Sequence, residues 1–208
     1  MLQISTVEPA TLVILKKLMA IPELADFSLV GGTALSLRYG HRKSVDLDLF
    51  ALSEFDTDKV IATLEKTFPA TYRHISTNSI GIFGYIEDVK IDLVKYHFHP
   101  VIAPIVVEDG IRFLSNEDIM AMKINAILRR GVKKDFWDIA ELLEHYTMDE
   151  LVDNYIKKYP NQMLLISIPR ALTYFDDADN SDDPVSLKGQ TWSKIKSKIR
   201  NKVSEFLS

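Results

Sequence analysis

The 208-residue sequence predicts an α+β protein: a mixed sheet with flanking helices over residues 1–114, followed by a helical lobe over residues 115–208. Three observations lead there. Between Phe27 and Leu114 short segments alternate apolar with polar side chains, the period of half-buried strands. Beyond Ser115 the apolar residues recur at helical spacing. The change of period falls at Ser115-Asn116-Glu117-Asp118, a good helix start, with Ser115 as cap and Asp118 three residues on.

The elements follow in order. Pro9 to Met19 spaces Leu12, Leu15 and Met19 as a helix does, and Phe27 to Val30 reads as a short strand running into Gly31-Gly32. Thr33 to Tyr39 favours helix, ended by Gly40. Val45 to Phe50 alternates as a strand, with Val45, Leu47 and Leu49 expected on the buried face. Asp56 to Phe68 is amphipathic, with Val60, Ile61, Leu64 and Phe68 inward. Thr71–Ser76, Ile80–Ile86 and Val89–Tyr96 are extended, the last two forming a hairpin through Glu87-Asp88. A second, shorter hairpin is expected through Asp109-Gly110. In the helical lobe the patterns cover Glu117 to Arg129, Lys134 to His145, Met148 to Tyr159, Gln162 to Tyr174 and Gln190 to Leu207.

Composition narrows the function classes. Hydrophobic residues make up 47% and charged residues 26%, as in an ordinary globular protein. With no cysteine, neither disulfides nor thiolate metal sites are available, so any metal must use oxygen or imidazole ligands. No apolar run approaches the roughly 18 residues of a membrane span, and the N-terminus lacks signal-peptide features, so a cytoplasmic location without membrane contact is expected. The net charge of −4 does not announce a nucleic-acid binder. Yet Lys188, Lys194, Lys196, Lys198, Arg200 and Lys202 crowd the C-terminus behind Asp176, Asp177, Asp179, Asp182 and Asp183. That run is either a solvated helix face or a flank for a polyanion such as RNA.

The chemistry concentrates in three places. Asp46 and Asp48 stand two residues apart on a strand, so both point to one face, where their repulsion calls for a cation. Few carboxylates plus water and phosphate suit Mg²⁺. Gly31-Gly32-Thr33 joins a strand to a helix, so backbone N–H groups there can cradle phosphate. Asp92, in the alternating strand Lys90-Ile91-Asp92-Leu93-Val94, can complete a three-carboxylate site if its strand lies beside that of Asp46 and Asp48. Arg42 and Ser44, just before the carboxylates, either touch phosphate or orient the loop. His97 and His99 lack a third ligand, and Trp137 fits a core position.

Val30-Gly31-Gly32-Thr33-Ala34-Leu35, Gly40-His41-Arg42 and Ser44-x-Asp46-Leu47-Asp48-Leu49-Phe50 closely resemble the AbiEii/AbiGii-type nucleotidyltransferase toxins, of the DNA polymerase β-like nucleotidyltransferase superfamily. The likeness continues through Lys90-x-Asp92-Leu93, Lys123-x-x-Ala126-x-x-x-Arg130 and Lys134-Asp135-x-x-Asp138. One departure from many superfamily members is Gly31-Gly32 in place of Gly-Ser, which substitutes backbone N–H for a serine hydroxyl.

The resemblance implies a nucleotidyltransferase-like sheet and transfer of a nucleoside monophosphate from an NTP to a hydroxyl acceptor, with release of pyrophosphate. It implies Mg²⁺ or Mn²⁺ on Asp46, Asp48 and Asp92, and Gly31, Gly32 and Thr33 on the phosphates with Arg42 and Ser44 nearby. Lys123 would steady the triphosphate, with Asp135 as the functional carboxylate of the helical lobe; Asp138, on the same helix face, reads by itself as a salt-bridge partner for a neighbouring lysine. The expected partners are NTP, a tRNA 3′ end or other RNA as acceptor, and a cognate antitoxin. Two alternatives differ in class: a catalytically idle nucleotide-binding or antitoxin-like protein, and a small-molecule nucleotidyltransferase of the aminoglycoside type.

Overall fold

The computed structural model describes all 208 residues. Its chain forms two compact units. The first comprises residues 1–38, 44–99 and 105–114; the second comprises 39–43, 100–104 and 115–208. The segments 39–43 and 100–104 thus group with the helices, so the division is finer than a single cut after Leu114.

The first unit is built on a seven-stranded mixed sheet in the order β3-β4-β5-β2-β1-β7-β6. Its strands are β1 (Phe27–Leu29), β2 (Leu47–Ala51), β3 (Tyr72–Asn78), β4 (Gly81–Ile86), β5 (Val89–Lys95), β6 (Val106–Glu108) and β7 (Ile111–Phe113). β2 runs antiparallel to β1 and parallel to β5, while β3, β4 and β5 form an antiparallel meander. Both expected hairpins are present, turning where Glu87, Asp109 and Gly110 take positive φ. The helices of this unit are α1 (Pro9–Met19), α2 (Gly31–Tyr39, whose last residue groups with the second unit) and α3 (Thr57–Thr67), the last capped by Asp56, which accepts from the Lys59 N–H.

Burial follows the alternation. Leu47, Leu49 and Ala51 on β2, and Ile91 and Leu93 on β5, are buried, while Asp48, Phe50 and Asp92 between them are half-buried. Burying a side chain of this size is worth about 2 kcal/mol, enough to fix register, because a one-residue slip would place the aspartates inside. Val45 departs from expectation. β2 begins only at Leu47, and Val45 precedes it, 57% exposed.

The second unit packs α4 (Asn116–Arg129), α5 (Lys133–Leu142), α6 (Met148–Lys158), α7 (Ile168–Thr173), α8 (Asp176–Asp179) and α9 (Trp192–Leu207). Ser115 caps α4 by accepting from the Asp118 N–H, and Thr147 and Glu150 form a reciprocal capping box on α6. Trp137 is a core residue, stacked on Trp192 with ring centroids 5.7 Å apart. Lys158 and Asp118, both fully buried, pair at 2.6 Å, and Asp118 also accepts from the N–H groups of Ile102 and Ala103. This pair pins the 100–104 segment to the helices.

Two helical expectations need correction. The pattern from Gln162 to Tyr174 yields helix only over Ile168–Thr173. Pro169 cannot sit inside a helix reaching back to Gln162, because its ring meets the carbonyl four residues earlier; it is tolerated at the second helical position. The acidic stretch between the expected helices Gln162–Tyr174 and Gln190–Leu207 contains α8. No helix is long and apolar enough to cross a membrane.

Candidate active site

β2 and β5 bring two of the expected carboxylates together. Asp48 and Asp92 are direct register partners on these parallel neighbours, so their side chains share one sheet face. Asp46 lies just before β2, and its carbonyl accepts from the Thr33 hydroxyl, whose oxygen in turn accepts from the Ser44 hydroxyl at 2.8 Å. Thr33 is 1% exposed, so its hydroxyl works as a tether between α2 and the approach to β2.

Gly31 explains why a glycine stands at the end of β1. Its φ is +70°, a conformation that disfavours any side chain, and a Cβ there would lie 2.7 Å from Asp48 Oδ2. The backbone of the turn therefore approaches the Asp48 carboxylate directly. The Asp48 carbonyl, in turn, accepts from the Val30 N–H at 2.9 Å.

Asp92 is engaged by a residue two positions earlier on the same strand face. Lys90 Nζ lies 2.7 Å from Asp92 Oδ2, while Asp92 Oδ1 is buried without a hydrogen-bond partner. Burial works to lower the Lys90 pKa. The hydrogen bond and charge of Asp92, with the charges of Asp48 and Asp46, outweigh it and raise the value. No group of three or more His, Cys, Asp or Glu side chains is arranged to hold a metal ion. Of the three expected aspartates, Asp48 and Asp92 are register partners, and Asp92 carries the ammonium of Lys90. The donor set nevertheless fits a hard divalent cation: all oxygen, with one Asp92 oxygen unsatisfied. Lys90 was not singled out as a site residue in the sequence, although its spacing from Asp92 was readable there.

In the second unit a separate charged cluster forms. Asp138, fully buried, accepts from His41 Nε2 at 2.8 Å, from Arg42 Nε at 2.7 Å and Nη2 at 2.9 Å, and from Lys123 Nζ at 2.6 Å. Asp135, also buried, accepts from Lys123 Nζ at 3.0 Å and from Arg130 Nε at 3.3 Å. Burial alone would raise the Asp138 pKa, but the charges of Arg42 and Lys123 and the bonds from His41 and Arg42 hold it well below the usual range. Lys123 is raised above its ordinary value. Burial opposes that, Asp138 and Asp135 drive it, and Arg42 subtracts from it. Two of the three Lys123 donors are committed to these carboxylates. Arg42 also donates to the Lys43 carbonyl, so its guanidinium here orients the 39–43 segment. His41 was quoted in the sequence only as part of a motif.

His97 pairs with Glu54 at 3.1 Å. Much of the C-terminal basic run is paired: Lys188 with Glu141, Lys196 with Asp179, Lys198 with Glu144 and Lys202 with Glu205.

Residues 13–204 match the model of the family described as nucleotidyl transferase AbiEii toxin, type IV TA system. An uncharacterized protein of Aquifex aeolicus (strain VF5) is 33% identical over 198 residues, covering 93% of this chain and 94% of its own length. Among solved structures, the nucleotidyltransferase toxin MenT4 of Mycobacterium tuberculosis H37Rv superposes with a TM-score of 0.56 at 12% identity, covering 93% of this chain and 82% of its own. The antibiotic-resistance factor ANT(2″)-Ia gives 0.53 at 18% identity, over 71% of this chain and 91% of its own. These similarities show a shared nucleotidyltransferase fold. The chain belongs to the AbiEii family of nucleotidyltransferase toxins, and it is a nucleotidyltransferase.

Proposed function

We propose that the chain transfers a nucleoside monophosphate from an NTP to the 3′ hydroxyl of a tRNA, as the toxin of a pair with a cognate antitoxin. The observation that supports this best is the apposition of Asp48, Asp92 and the Gly31 turn. Register-paired carboxylates there adjoin a backbone that comes close because it has no side chain. A carboxylate pair beside a phosphate-accepting turn suits triphosphate chemistry.

The residues divide the work. Gly31, Gly32 and Thr33, at the start of α2, offer backbone N–H groups to phosphate, and the Thr33 tether to Ser44 and the Asp46 carbonyl keeps the carboxylates aligned with them. Asp46, Asp48 and Asp92 would hold Mg²⁺ or Mn²⁺, which when bound supplies neutralisation of the phosphate charge. Asp92 accepts the proton of the acceptor hydroxyl. That oxygen bonds to the α-phosphorus as the bond to the bridging oxygen breaks and pyrophosphate leaves. Within the helical unit, Lys123 is fixed by Asp135 and Asp138, and Arg42 acts through Asp138.

The test is incubation with each labelled NTP and total tRNA, with and without Mg²⁺ or Mn²⁺. The expected result is label in RNA, dependent on the metal and lost in Asp48→Ala. Label on an aminoglycoside and none on RNA would move the acceptor to small molecules. Retained NTP binding with no transfer to any acceptor would make the chain an idle or antitoxin-like binder.

A further inference from the structure

We propose that the ammonium of Lys90 is an exchangeable counter-ion: it holds Asp92 in the metal-free protein and releases it when a divalent cation binds beside Asp48. This rests on the reading of Asp46, Asp48 and Asp92 as the metal-holding carboxylates.

Three observations carry it. Asp48 and Asp92 sit side by side as register partners, so the sheet face concentrates negative charge there. Lys90 sets an ammonium against it from the same strand face, 2.7 Å from Asp92 Oδ2. Its hold is partial, since Asp92 Oδ1 stays buried and unpartnered. A divalent ion bound by both carboxylates would satisfy what a single ammonium leaves unsatisfied.

Lys90 is also built to leave. Its side chain is 43% exposed while that of Asp92 is 16% exposed, so the lysine has solvent to swing into and the carboxylate stays. The stem is four carbons long and rotatable, and the ammonium is a compact point charge without the rigid fork of an arginine. An ammonium and a divalent cation held on the same carboxylate repel each other, so they compete for these oxygens. Binding of the metal therefore favours the departure of the lysine.

The experiment titrates the metal-free full-length protein with Mn²⁺, following unbound Mn²⁺ by its electron paramagnetic resonance signal. Lys90→Met should bind Mn²⁺ about tenfold more tightly than wild type, with the competing charge gone. Lys90→Arg, which keeps the charge, should bind no more tightly than wild type. Equal or weaker binding by Lys90→Met overturns the proposal while leaving the carboxylate reading intact. Asp48→Asn separates the two: if wild-type Mn²⁺ binding is indifferent to it, the metal reading and the counter-ion role both fall. A second measurement needs no variant. Acetylation of Lys90 in wild type, followed by mass spectrometry, should speed up several-fold when Mn²⁺ is added, because the released ammonium faces solvent. An unchanged rate overturns the proposal.

Discussion

Lys123 Nζ lies 2.6 Å from Asp138 Oδ2, with the carboxylate fully buried and the lysine side chain only 8% exposed. A buried pair of this kind is a weak source of net stability, but removing one member strands the other charge. Asp138→Asn should therefore destabilise the protein by about 3 kcal/mol or more, since Arg42 and Lys123 lose their shared anion. Urea unfolding of the two proteins at neutral pH measures this; a difference within about 0.5 kcal/mol would reduce the pair to a surface-like contact.

The same carboxylate sets a pH dependence. Its folded pKa is held well below the ordinary value by Arg42 and Lys123, against the opposing effect of burial. A depressed folded value means that the contribution is complete above the unfolded value of about 4 and declines as pH falls towards the folded one. The stability gap between wild type and Asp138→Asn should be flat from about pH 7 to 5 and should narrow below about pH 4. A gap that narrows on raising the pH instead would contradict the assignment of charge.

Asp48→Ala should abolish nucleotide transfer and leave the fold intact. Removing one of several like charges relieves repulsion, and the half-buried site can admit water in its place. The readouts are label transfer and the melting temperature in EDTA. Transfer at the wild-type rate in a folded variant would remove Asp48 from the chemistry.

Gly31→Ala should cost both stability and activity. The left-handed backbone at φ +70° penalises alanine by about 1 kcal/mol, and the new methyl group would meet Asp48 Oδ2 at 2.7 Å. The carboxylate must then shift, so turnover should drop by more than the stability loss explains. Thermal melting together with kcat measures the two separately, and an active, equally stable variant would deny the close approach its role.

Thr33→Val tests the tether. Valine keeps the shape but leaves the Asp46 carbonyl and Ser44 Oγ without the buried hydroxyl, at a cost of about 1–3 kcal/mol. If the hydroxyl positions the carboxylates and does not bind phosphate itself, kcat should fall while KM for NTP changes little. A rise in KM alone would put Thr33 on the nucleotide.

What the sequence made legible was whatever depended on period and caps. Leu47, Leu49, Ile91 and Leu93 face the core as their alternation required, and Ser115 caps α4 as its position indicated. The pairing of Asp48 with Asp92 was readable only as a condition, because strand order is a long-range property that neither segment encodes alone. Val45 and the 160–167 stretch misled for local reasons: strand ends carry no marker, and apolar spacing outweighed the veto of Pro169. Spacing puts Lys90 on the face of Asp92 but does not say which cation that carboxylate meets, because competing partners are not ranked by a linear pattern.

The last prediction separates an enzyme from a silent binder. NTP with Mg²⁺ should stabilise wild type by about 2.7 kcal/mol when ligand stands about 100-fold above its Kd. Lys123→Ala is a poor probe of that shift, since it takes a buried cation from Asp135 and Asp138 and should lower the melting temperature before any ligand is added. Asp48→Ala is the better one: it should keep whatever NTP shift remains without Mg²⁺ and lose the Mg²⁺-dependent increment. An idle binder would show the same wild-type shift, so the melts are read beside label transfer to RNA from the same preparations. If no NTP moves the melting curve with Mg²⁺ present, the turn at Gly31 holds no triphosphate, and the paired carboxylates must serve another cation-dependent purpose.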